Sequence, residues 1–142
     1  MNHVIGFLGF GEAASHIAAG FHEQGGVELL AYDITLKTTG GRRETLDRRL
    51  AETCTEPVES VQGLVERAQT IFLIIPPKFA KDLAMEALPF MTADHLFCDL
   101  TSNRPSVKEE LGHAFEQAGA RYVDAAVMGA VPLYRHKTPT LI

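Results

Sequence analysis

The sequence VIGFLGFGEAASHIAAGFHEQGGVELLAYD, which occupies residues Val4 to Asp33, decides the fold. Its first residues, Val4 to Leu8, are apolar and end at a glycine turn, a pattern typical of a strand buried on both faces of a parallel sheet. Apolar residues then recur at helical spacing until Gly25 and Gly26, which can adopt the left-handed conformation that ends a helix. The apolar run Val27–Tyr32 predicts a second strand. The stretch is therefore a strand, a glycine turn, a helix and a strand.

Strand and helix patterns alternate along the rest of the chain. The predicted strands are Thr55–Val58, Thr70–Ile75, His95–Asp99 and Arg121–Val127. The predicted helices are Arg43–Thr53, Ser60–Arg67, Lys78–Leu88 and one that starts at Pro105 and stops at Gly119, with a loop at Ile34–Gly41. Such alternation without hairpin signals predicts an α/β fold, a Rossmann-type doubly wound, mostly parallel sheet in three layers. Ligands of such sheets bind beyond the carboxyl ends of the strands.

The glycine turn has the spacing that binds a dinucleotide. Gly9-Phe10-Gly11-Glu12-Ala13-Ala14 matches the pattern G-x-G-x-x-[GA] between a strand and a helix. Gly9 permits the tight turn, Gly11 lets a pyrophosphate approach the backbone, and Ala14 allows the helix to pack closely on the sheet. The phosphates then meet free amides at a helix N-terminus.

Asp33 ends the second strand, 19 residues after Ala14. An offset of ~20 residues is expected of a carboxylate that accepts hydrogen bonds from the adenosine ribose; the alternative is an aspartate that caps a turn. Because this carboxylate repels a 2′-phosphate, NAD is favoured over NADP. NADP stays open because Lys37, Arg42 and Arg43 follow and a basic loop could fold over a phosphate, although a solvated surface is the simpler interpretation of these residues.

Composition narrows the class of protein. The 142 residues are 46% hydrophobic and 22% charged, which predicts one globular domain over residues 1–142. The net charge is −5 and the basic residues are interleaved with acidic ones, so we expect no nucleic-acid partner. Cys54 and Cys98 indicate neither a disulfide nor a metal site.

The longest apolar run, Ile71–Pro77, is far shorter than the roughly 20 residues of a membrane helix. The first residues also lack the charged and apolar pattern of a leader. We therefore expect a cytoplasmic protein without a membrane partner.

Three segments, GFLGFGEAA (residues 6–14), DLTSNRP (99–105) and DAAVMG (124–129), together resemble the β-hydroxyacid dehydrogenase family. This family includes 3-hydroxyisobutyrate dehydrogenases and 6-phosphogluconate dehydrogenase. The resemblance runs along essentially the whole chain. It implies the N-terminal NAD(P)-binding domain of an oxidoreductase that transfers a hydride between a nicotinamide cofactor and a hydroxy acid or related alcohol.

The resemblance also implies the residues that bind the cofactor. They are Gly9, Phe10, Gly11, Glu12, Ala13 and Ala14 at the pyrophosphate, Asp33 and Ile34 at the ribose, Ile75, Pro76 and Pro77 along the trough, and Thr101 and Ser102 near the nicotinamide. The two prolines are equally explained as a strand stop. The two hydroxyls are equally explained as the turn that leads into a helix.

The substrate side departs from the family pattern. Ser102, Met128 and Gly129 occupy the implied substrate positions, but typical members have a serine where Met128 lies. A thioether cannot donate a hydrogen bond to a carboxylate, so we expect a bulkier or less acidic small-molecule substrate that still meets the amide of Gly129. The residues Tyr134-Arg135-His136 are either contacts to an anionic substrate or a solvated turn.

No catalytic residue is identified, because the lysine that the family uses lies in an all-helical domain after the sixth strand. Thr138–Ile142 is predicted as the start of a further buried strand, so we expect a fragment of a longer two-domain enzyme that binds cofactor without efficient turnover. An apolar C-terminal edge predicts a homo-oligomer, most simply a dimer. Two alternatives stay open: a stand-alone nucleotide-binding or redox-sensing module, and the cofactor domain of an imine reductase of the pyrroline-carboxylate type.

Overall fold

The computed structural model describes residues 2–142 and contains a six-stranded parallel sheet. Its strands lie in the order β3-β2-β1-β4-β5-β6, which places the first strand at the centre. They are β1 (His3–Leu8), β2 (Val27–Tyr32), β3 (Glu56–Pro57), β4 (Thr70–Leu73), β5 (Leu96–Asp99) and β6 (Arg121–Asp124). Two further strands, β7 (Ala126–Val127) and β8 (Thr140–Leu141), form an antiparallel pair of their own.

Helices connect the strands. They are α1 (Glu12–Gln24), α2 (Gly41–Glu52), α3 (Val61–Arg67), α4 (Pro77–Ala87), α5 (Pro105–Gln117) and α6 (Val131–Tyr134), with short 3-10 helices at Ile34–Lys37, Leu88–Phe90 and Arg135–Lys137. Gly25 ends α1 with a positive φ of 76° and donates its amide to the carbonyl of Phe21, as the sequence predicts. Pro105 occupies the first turn of α5.

Two apolar cores lie on opposite faces of the sheet and confirm the predicted three-layer fold. The core beneath α1 and α2 contains Phe7, Phe10, Ile17, Ala18, Leu46 and Leu50. The core beneath α3, α4 and α5 contains Leu64, Ile71, Ala84, Phe97, Leu111 and Phe115. Neighbouring residues of one strand divide between these cores, since Phe7 belongs to the first and Leu8 to the second. The buried stretches of β1 and β2, residues 5–8 and 29–32, are therefore apolar on both faces, as parallel strands covered on both sides are.

The predicted strand Arg121–Val127 is wrong in its second half. β6 ends at Asp124, and the amide of Ala125 donates to the carbonyl of Asp99 at 3.0 Å, which is the last bond to the parallel sheet. Ala126 and Val127 then turn away and pair with β8. The predicted loop after Asp33 is also wrong in part, because residues 34–37 form a 3-10 helix.

The predicted buried strand at Thr138–Ile142 is wrong as well. Only Thr140 and Leu141 are extended, and they lie at the surface, with 62% of Leu141 and 94% of Ile142 exposed. A pair of two-residue strands forms too few backbone hydrogen bonds to hold this end of the chain in the interior.

The turn before β8 packs on α1 instead of facing solvent. Nε2 of His136 lies 2.7 Å from Oε1 of Gln24, and its ring centroid lies 5.0 Å from that of Phe21. Gly20 makes this approach possible, because a Cβ there would lie 2.1 Å from Nδ1 of His136. Arg135 forms an ion pair with Glu23 on the same helix. Both side chains are thus occupied by α1, so neither explanation predicted for Arg135 and His136, substrate contact or a solvated turn, describes them.

Candidate functional site

The glycine turn lies at the carboxyl end of β1, in the middle of the sheet. Gly9 has a φ of +91°, and its amide donates to the carbonyl of Tyr32 at 2.8 Å. A Cβ at Gly9 would lie 2.3 Å from the backbone oxygen of Ile74, so the position requires glycine. Gly11 differs, because a Cβ there would have no heavy atom within 4 Å. The fold itself does not fill the space above Gly11, which leaves that backbone open to a ligand.

Asp33 joins the end of β2 to this turn. Its Oδ2 accepts from the amide of Phe10 at 2.8 Å, and its Oδ1 accepts from the amide of Thr35 at 2.9 Å. The bond to Thr35 is the turn cap that the sequence offered as an alternative. The bond to Phe10 ties the carboxylate to the glycine turn. Because a carboxylate has about four acceptor positions, both oxygens can still accept from a ribose hydroxyl.

An apolar cavity of about 530 Å³ lies on one side of Asp33. Its walls bring together five of the predicted cofactor residues, namely Gly9, Asp33, Ile34, Ile75 and Pro76. The remaining apolar lining comes from Tyr32, Phe79 and Leu83. Asp82 and Glu86 of α4 complete the lining. A cleft with largely apolar walls and the Asp33 carboxylate beside the glycine turn suits a flat aromatic base joined to a hydroxylated sugar.

A polar cavity of about 300 Å³ lies on the other side of Asp33. It is lined by Phe10, Gly11 and Asp33, by the hydroxyl-bearing Thr35 and Thr45, and by Gly41, Leu46, Arg42 and Arg49. Two arginines therefore adjoin the predicted ribose-binding carboxylate, and one of them, Arg49, was not considered from the sequence. The other two basic residues predicted near this site are occupied elsewhere. Arg43 donates to Asp47 and to the carbonyl of Leu36, and the ammonium of Lys37 lies 5.8 Å from the ring centre of Tyr32.

Several predicted cofactor residues line neither cavity. Ala14 is 0% exposed, so its contribution is close packing of α1 and not contact with a ligand. Phe10 does line the polar cavity, but its ring lies in the core, so its backbone is what it offers to a ligand. Glu12 and Ala13 form the first turn of α1, and Pro77 opens α4.

Thr101 and Ser102 line a third cavity, of about 590 Å³, beyond the ends of β5 and β6. Thr101 is buried and donates its hydroxyl inward to Oδ1 of Asp99 at 2.6 Å. Ser102 is exposed, so its hydroxyl is the one that remains for a ligand. Met128 and Gly129 are exposed but line a different part of the surface, and the amide of Met128 donates to the carbonyl of Pro139 at 2.7 Å.

A buried ionic cluster beneath this third cavity was missed from the sequence. Lys108 is only 7% exposed, and its Nζ lies 3.2 Å from Oδ1 of Asp99 and 2.8 Å from Oδ1 of Asp124. The hydroxyl of Tyr122 donates to the other oxygen of Asp99 at 2.5 Å. Burial, together with this bond, raises the pKa of the Tyr122 hydroxyl. The cluster joins β5, α5 and β6 and holds the backbone that carries Thr101 and Ser102.

A family model of the NAD binding domain of 6-phosphogluconate dehydrogenase matches residues 4–141. The chain belongs to this family. The match confirms the resemblance to β-hydroxyacid dehydrogenases and the Rossmann-type fold. No curated protein matches the chain.

Solved structures agree with this membership of the 6-phosphogluconate dehydrogenase NAD-binding family. A conserved hypothetical protein from Sinorhizobium meliloti 1021 is 32% identical, with a TM-score of 0.89 over 99% of this chain and 46% of that chain. An imine reductase from Myxococcus stipitatus in complex with NADP⁺ is 20% identical, with a TM-score of 0.76 over 92% of this chain and 43% of its own. The 3-hydroxyisobutyrate dehydrogenase of Mycobacterium tuberculosis is also 20% identical, with a TM-score of 0.76 over 92% and 42%. The last two show the fold alone.

The chain spans less than half of the length of these three structures. Within residues 2–142, no helix is both long and apolar enough to cross a membrane. The glycine turn, Asp33 and the residues that line the three cavities all lie within the range that the family model matches.

Proposed function

We propose that this chain is the cofactor-binding domain of an oxidoreductase that passes a hydride between a nicotinamide cofactor and a hydroxy acid or related alcohol. The observation that carries the proposal is the junction at Asp33. There the glycine turn, a carboxylate with acceptor positions to spare and an apolar cavity of about 530 Å³ adjoin one another. The proposal takes residues 1–142 as one domain, because the two cores share a single sheet. It also takes this domain to be part of a longer enzyme.

The residues fit a dinucleotide in three respects. The open space above Gly11 lets a pyrophosphate reach the amides at the start of α1, where the helix dipole favours an anion. Asp33 accepts from the ribose hydroxyls of NAD. The apolar cavity between Ile34 and Ile75 takes the adenine.

When bound, the cofactor would supply the hydride, and the residues of this chain would hold the cofactor and the substrate in position. Ser102, which lines the third cavity, orients the nicotinamide or the substrate. The amide of Gly129, outside that cavity, is proposed as a separate contact to the substrate. Thr101 does not donate outward, because Asp99 holds its hydroxyl. Among residues 2–142 we assign no proton donor to the reaction, so the domain binds cofactor and an acid from elsewhere completes turnover.

Titration with NADH tests the proposal directly. The chain contains no tryptophan, so the emission of the nicotinamide can be followed without an indole background. We expect saturable binding, and Asp33→Ala should weaken it roughly tenfold or more, since a hydrogen bond to a charged group contributes about 1.5–3 kcal/mol. Asp94→Ala is the matched control, because Asp94 precedes β5 and so lies at the amino ends of the strands, whereas Asp33 follows the carboxyl end of β2. A wild-type chain that binds neither NADH nor NADPH would refute the proposal.

Met128 favours a second candidate, the cofactor domain of an imine reductase. Its exposed thioether stands where the resemblance places a serine that binds a carboxylate, and it offers no donor. Full-length enzyme assayed with NADPH on a cyclic imine and on 3-hydroxyisobutyrate separates the two. Turnover of the imine alone selects the second candidate, and turnover of the hydroxy acid alone selects the first.

The proposal includes a homodimer in the cytoplasm. Leu133, Leu141 and Ile142 expose apolar side chains near the C-terminal end, and a second copy of the chain would cover them. Light scattering during gel filtration tests this, and a mass of 15.5 kDa at micromolar concentration would exclude the dimer for this chain.

The proposed cytoplasmic location rests on Cys54 and Cys98, both free, as is usual in a reducing compartment. Cell fractionation tests it.

A further inference from the structure

Asp99 is the centre of the ionic cluster beneath the third cavity. The residue is 0% exposed, and Oδ1 of its carboxylate accepts from the amide of Thr101 at 2.9 Å and from its hydroxyl at 2.6 Å. The other carboxylate oxygen accepts from the hydroxyl of Tyr122. The backbone carbonyl of Asp99 accepts from the amide of Ala125 at 3.0 Å and from the ammonium of Lys108 at 3.1 Å. One buried residue therefore holds the end of β5 and the turn that follows it.

Lys108 closes the chain segment that begins after Asp99. Its amide lies in the first turn of α5 and donates to the carbonyl of Arg104 at 3.2 Å. Its side chain reaches back to β5, where Nζ lies 3.2 Å from Oδ1 of Asp99, and also to the end of β6, where Nζ lies 2.8 Å from Oδ1 of Asp124. Residues 100–107, which include Ser102, thus form a loop whose two ends are joined by one buried ion pair.

The ammonium of Lys108 is engaged by the protein itself, although it lines the third cavity. An ammonium has three N–H donors. The carbonyl and Oδ1 of Asp99 and Oδ1 of Asp124 are their three acceptors, and only 7% of the lysine side chain is exposed. Ser102 lines the same cavity and is exposed. Lys108 therefore acts on a ligand of this cavity through the position of Ser102.

The middle of the loop contacts the segment that follows β4. Nδ2 of Asn103 donates to the carbonyl of Pro77 at 3.1 Å, and Pro76 lines the apolar cavity beside Asp33. Asp33 and the glycine turn follow β2 and β1 and are joined to each other by a separate hydrogen bond. A shift of residues 100–107 would therefore move Ser102 relative to a dinucleotide held at Asp33 without disturbing the residues that hold its adenosine half.

From this arrangement we propose that Lys108 is a positioning residue of the cofactor site, which through Asp99 places the hydroxyl of Ser102 against the nicotinamide ring. The inference rests on the proposed cofactor function and gives the buried ion pair a task in binding as well as in stability. Loss of the ammonium releases one end of the loop, and ordering the loop again then opposes the binding of the ring.

Calorimetric titrations with NADH and with ADP-ribose test the inference on the intact chain. ADP-ribose retains every part of the cofactor except the nicotinamide ring, so wild type should bind NADH more tightly. Ser102→Ala and Lys108→Met should each weaken NADH roughly threefold to tenfold, as expected for one hydrogen bond, and change ADP-ribose by less than about twofold. The double variant should bind NADH no more weakly than Lys108→Met alone, because the hydroxyl is already displaced there.

Two further variants complete the experiment. Lys81→Ala is the matched control, since it removes an exposed lysine that pairs with Glu110, and it should leave both affinities unchanged. Tyr122→Phe removes one hydrogen bond to Asp99 and keeps the ion pair, so it serves if Lys108→Met does not fold. We expect it to weaken NADH about twofold to threefold and to leave ADP-ribose unchanged.

The ratio of the two dissociation constants separates the position of Ser102 from the stability of the fold. A smaller folded fraction weakens both ligands by the same factor, whereas a displaced Ser102 weakens NADH alone. Equal losses for both ligands, losses that multiply in the double variant, or a wild type that does not distinguish NADH from ADP-ribose would overturn the inference and leave the proposed function intact. Binding of neither ligand by wild type would refute the proposed function and this inference with it.

Discussion

Replacement of Gly11 by alanine should separate folding from binding. The position has a φ of −79° and a ψ of −161°, which any residue adopts, and an added Cβ meets no atom within 4 Å. Gly11 is the N-cap of α1, where alanine is less favourable than glycine, so the free energy of unfolding should fall by about 1 kcal/mol or less. The methyl group would, however, stand between the backbone and a pyrophosphate. The loss of one charge-assisted hydrogen bond there weakens NADH binding roughly tenfold to a hundredfold.

Gly9→Ala is the contrasting variant. Its φ of +91° is unfavourable for alanine, and its Cβ would collide with the backbone oxygen of Ile74 at 2.3 Å. The left-handed conformation costs about 1–2 kcal/mol and overpacking a further 1–3 kcal/mol, so the unfolding free energy should fall by about 2–5 kcal/mol. Urea denaturation measures both stabilities and calorimetric titration with NADH measures both affinities. The reasoning is refuted if Gly11→Ala binds NADH like wild type, or if it is as unstable as Gly9→Ala.

Four further variants or conditions report on other parts of the structure. Lys108→Met leaves Asp99 buried without its cation, so the free energy of unfolding should fall by about 3–5 kcal/mol in urea denaturation. Gly20→Ala places a methyl 2.1 Å from Nδ1 of His136, so hydrogen exchange should accelerate across residues 126–142. Burial and the charge of Lys137 lower the pKa of His136. The docked turn at residues 135–137 is therefore fully stabilised above the ordinary histidine pKa of 6.5 and loses this stabilisation as the pH falls below that value. Amide exchange at pH 5 and at pH 8 should detect the difference. Burial raises the pKa of the Cys98 thiol to about 11, so at pH 8 it should react slowly with iodoacetamide.

Three of these predictions have a matched control. Lys81→Ala removes an exposed ion pair with Glu110 and should cost less than about 1 kcal/mol. Gly112→Ala introduces a Cβ that meets only the ring of Tyr122, at 3.7 Å, so it should not disturb residues 126–142. Exposed Cys54 is the reference thiol in the same sample. Equal stability losses for the two lysine variants, pH-independent exchange, or faster alkylation of Cys98 than of Cys54 would contradict the corresponding argument.

The central part of the fold is predictable because its signals are local. Residues 27–32 form the predicted strand with the same bounds, and Gly25 ends α1 as expected. Periodicity and glycine conformation determine both features without help from distant residues. The break after Asp124 is different, because Tyr122 to Val127 is apolar enough to continue as a strand. Its second half is redirected by pairing with Thr140 and Leu141, a contact that local patterns do not contain.

The candidate site divides in the same way. The spacing between the glycine turn and Asp33 along the chain predicts that both belong to one site, and in the structure Asp33 contacts the turn. Arg49 was overlooked because its approach to Gly11 depends on how α2 docks against the sheet. Lys108 carried a usable signal, since it lies three and seven residues before Leu111 and Phe115 on the buried face of α5. A lysine on such a stripe needs an anion beside it, and buried Asp99 supplies one, with the exposed Asp124 as a second partner.

The docking of His136 on α1 also orders events during synthesis. The bond between His136 and Gln24 spans 112 positions of the chain. At a translation rate of about 5–20 residues per second, α1 leaves the ribosome roughly 6–20 s before the turn that covers Gly20 and Phe21. For that interval an aromatic ring and a bare helical backbone are uncovered together. A chaperone that recognises exposed apolar helices would find its target there, and the turn at His136 would remove that target once it emerges.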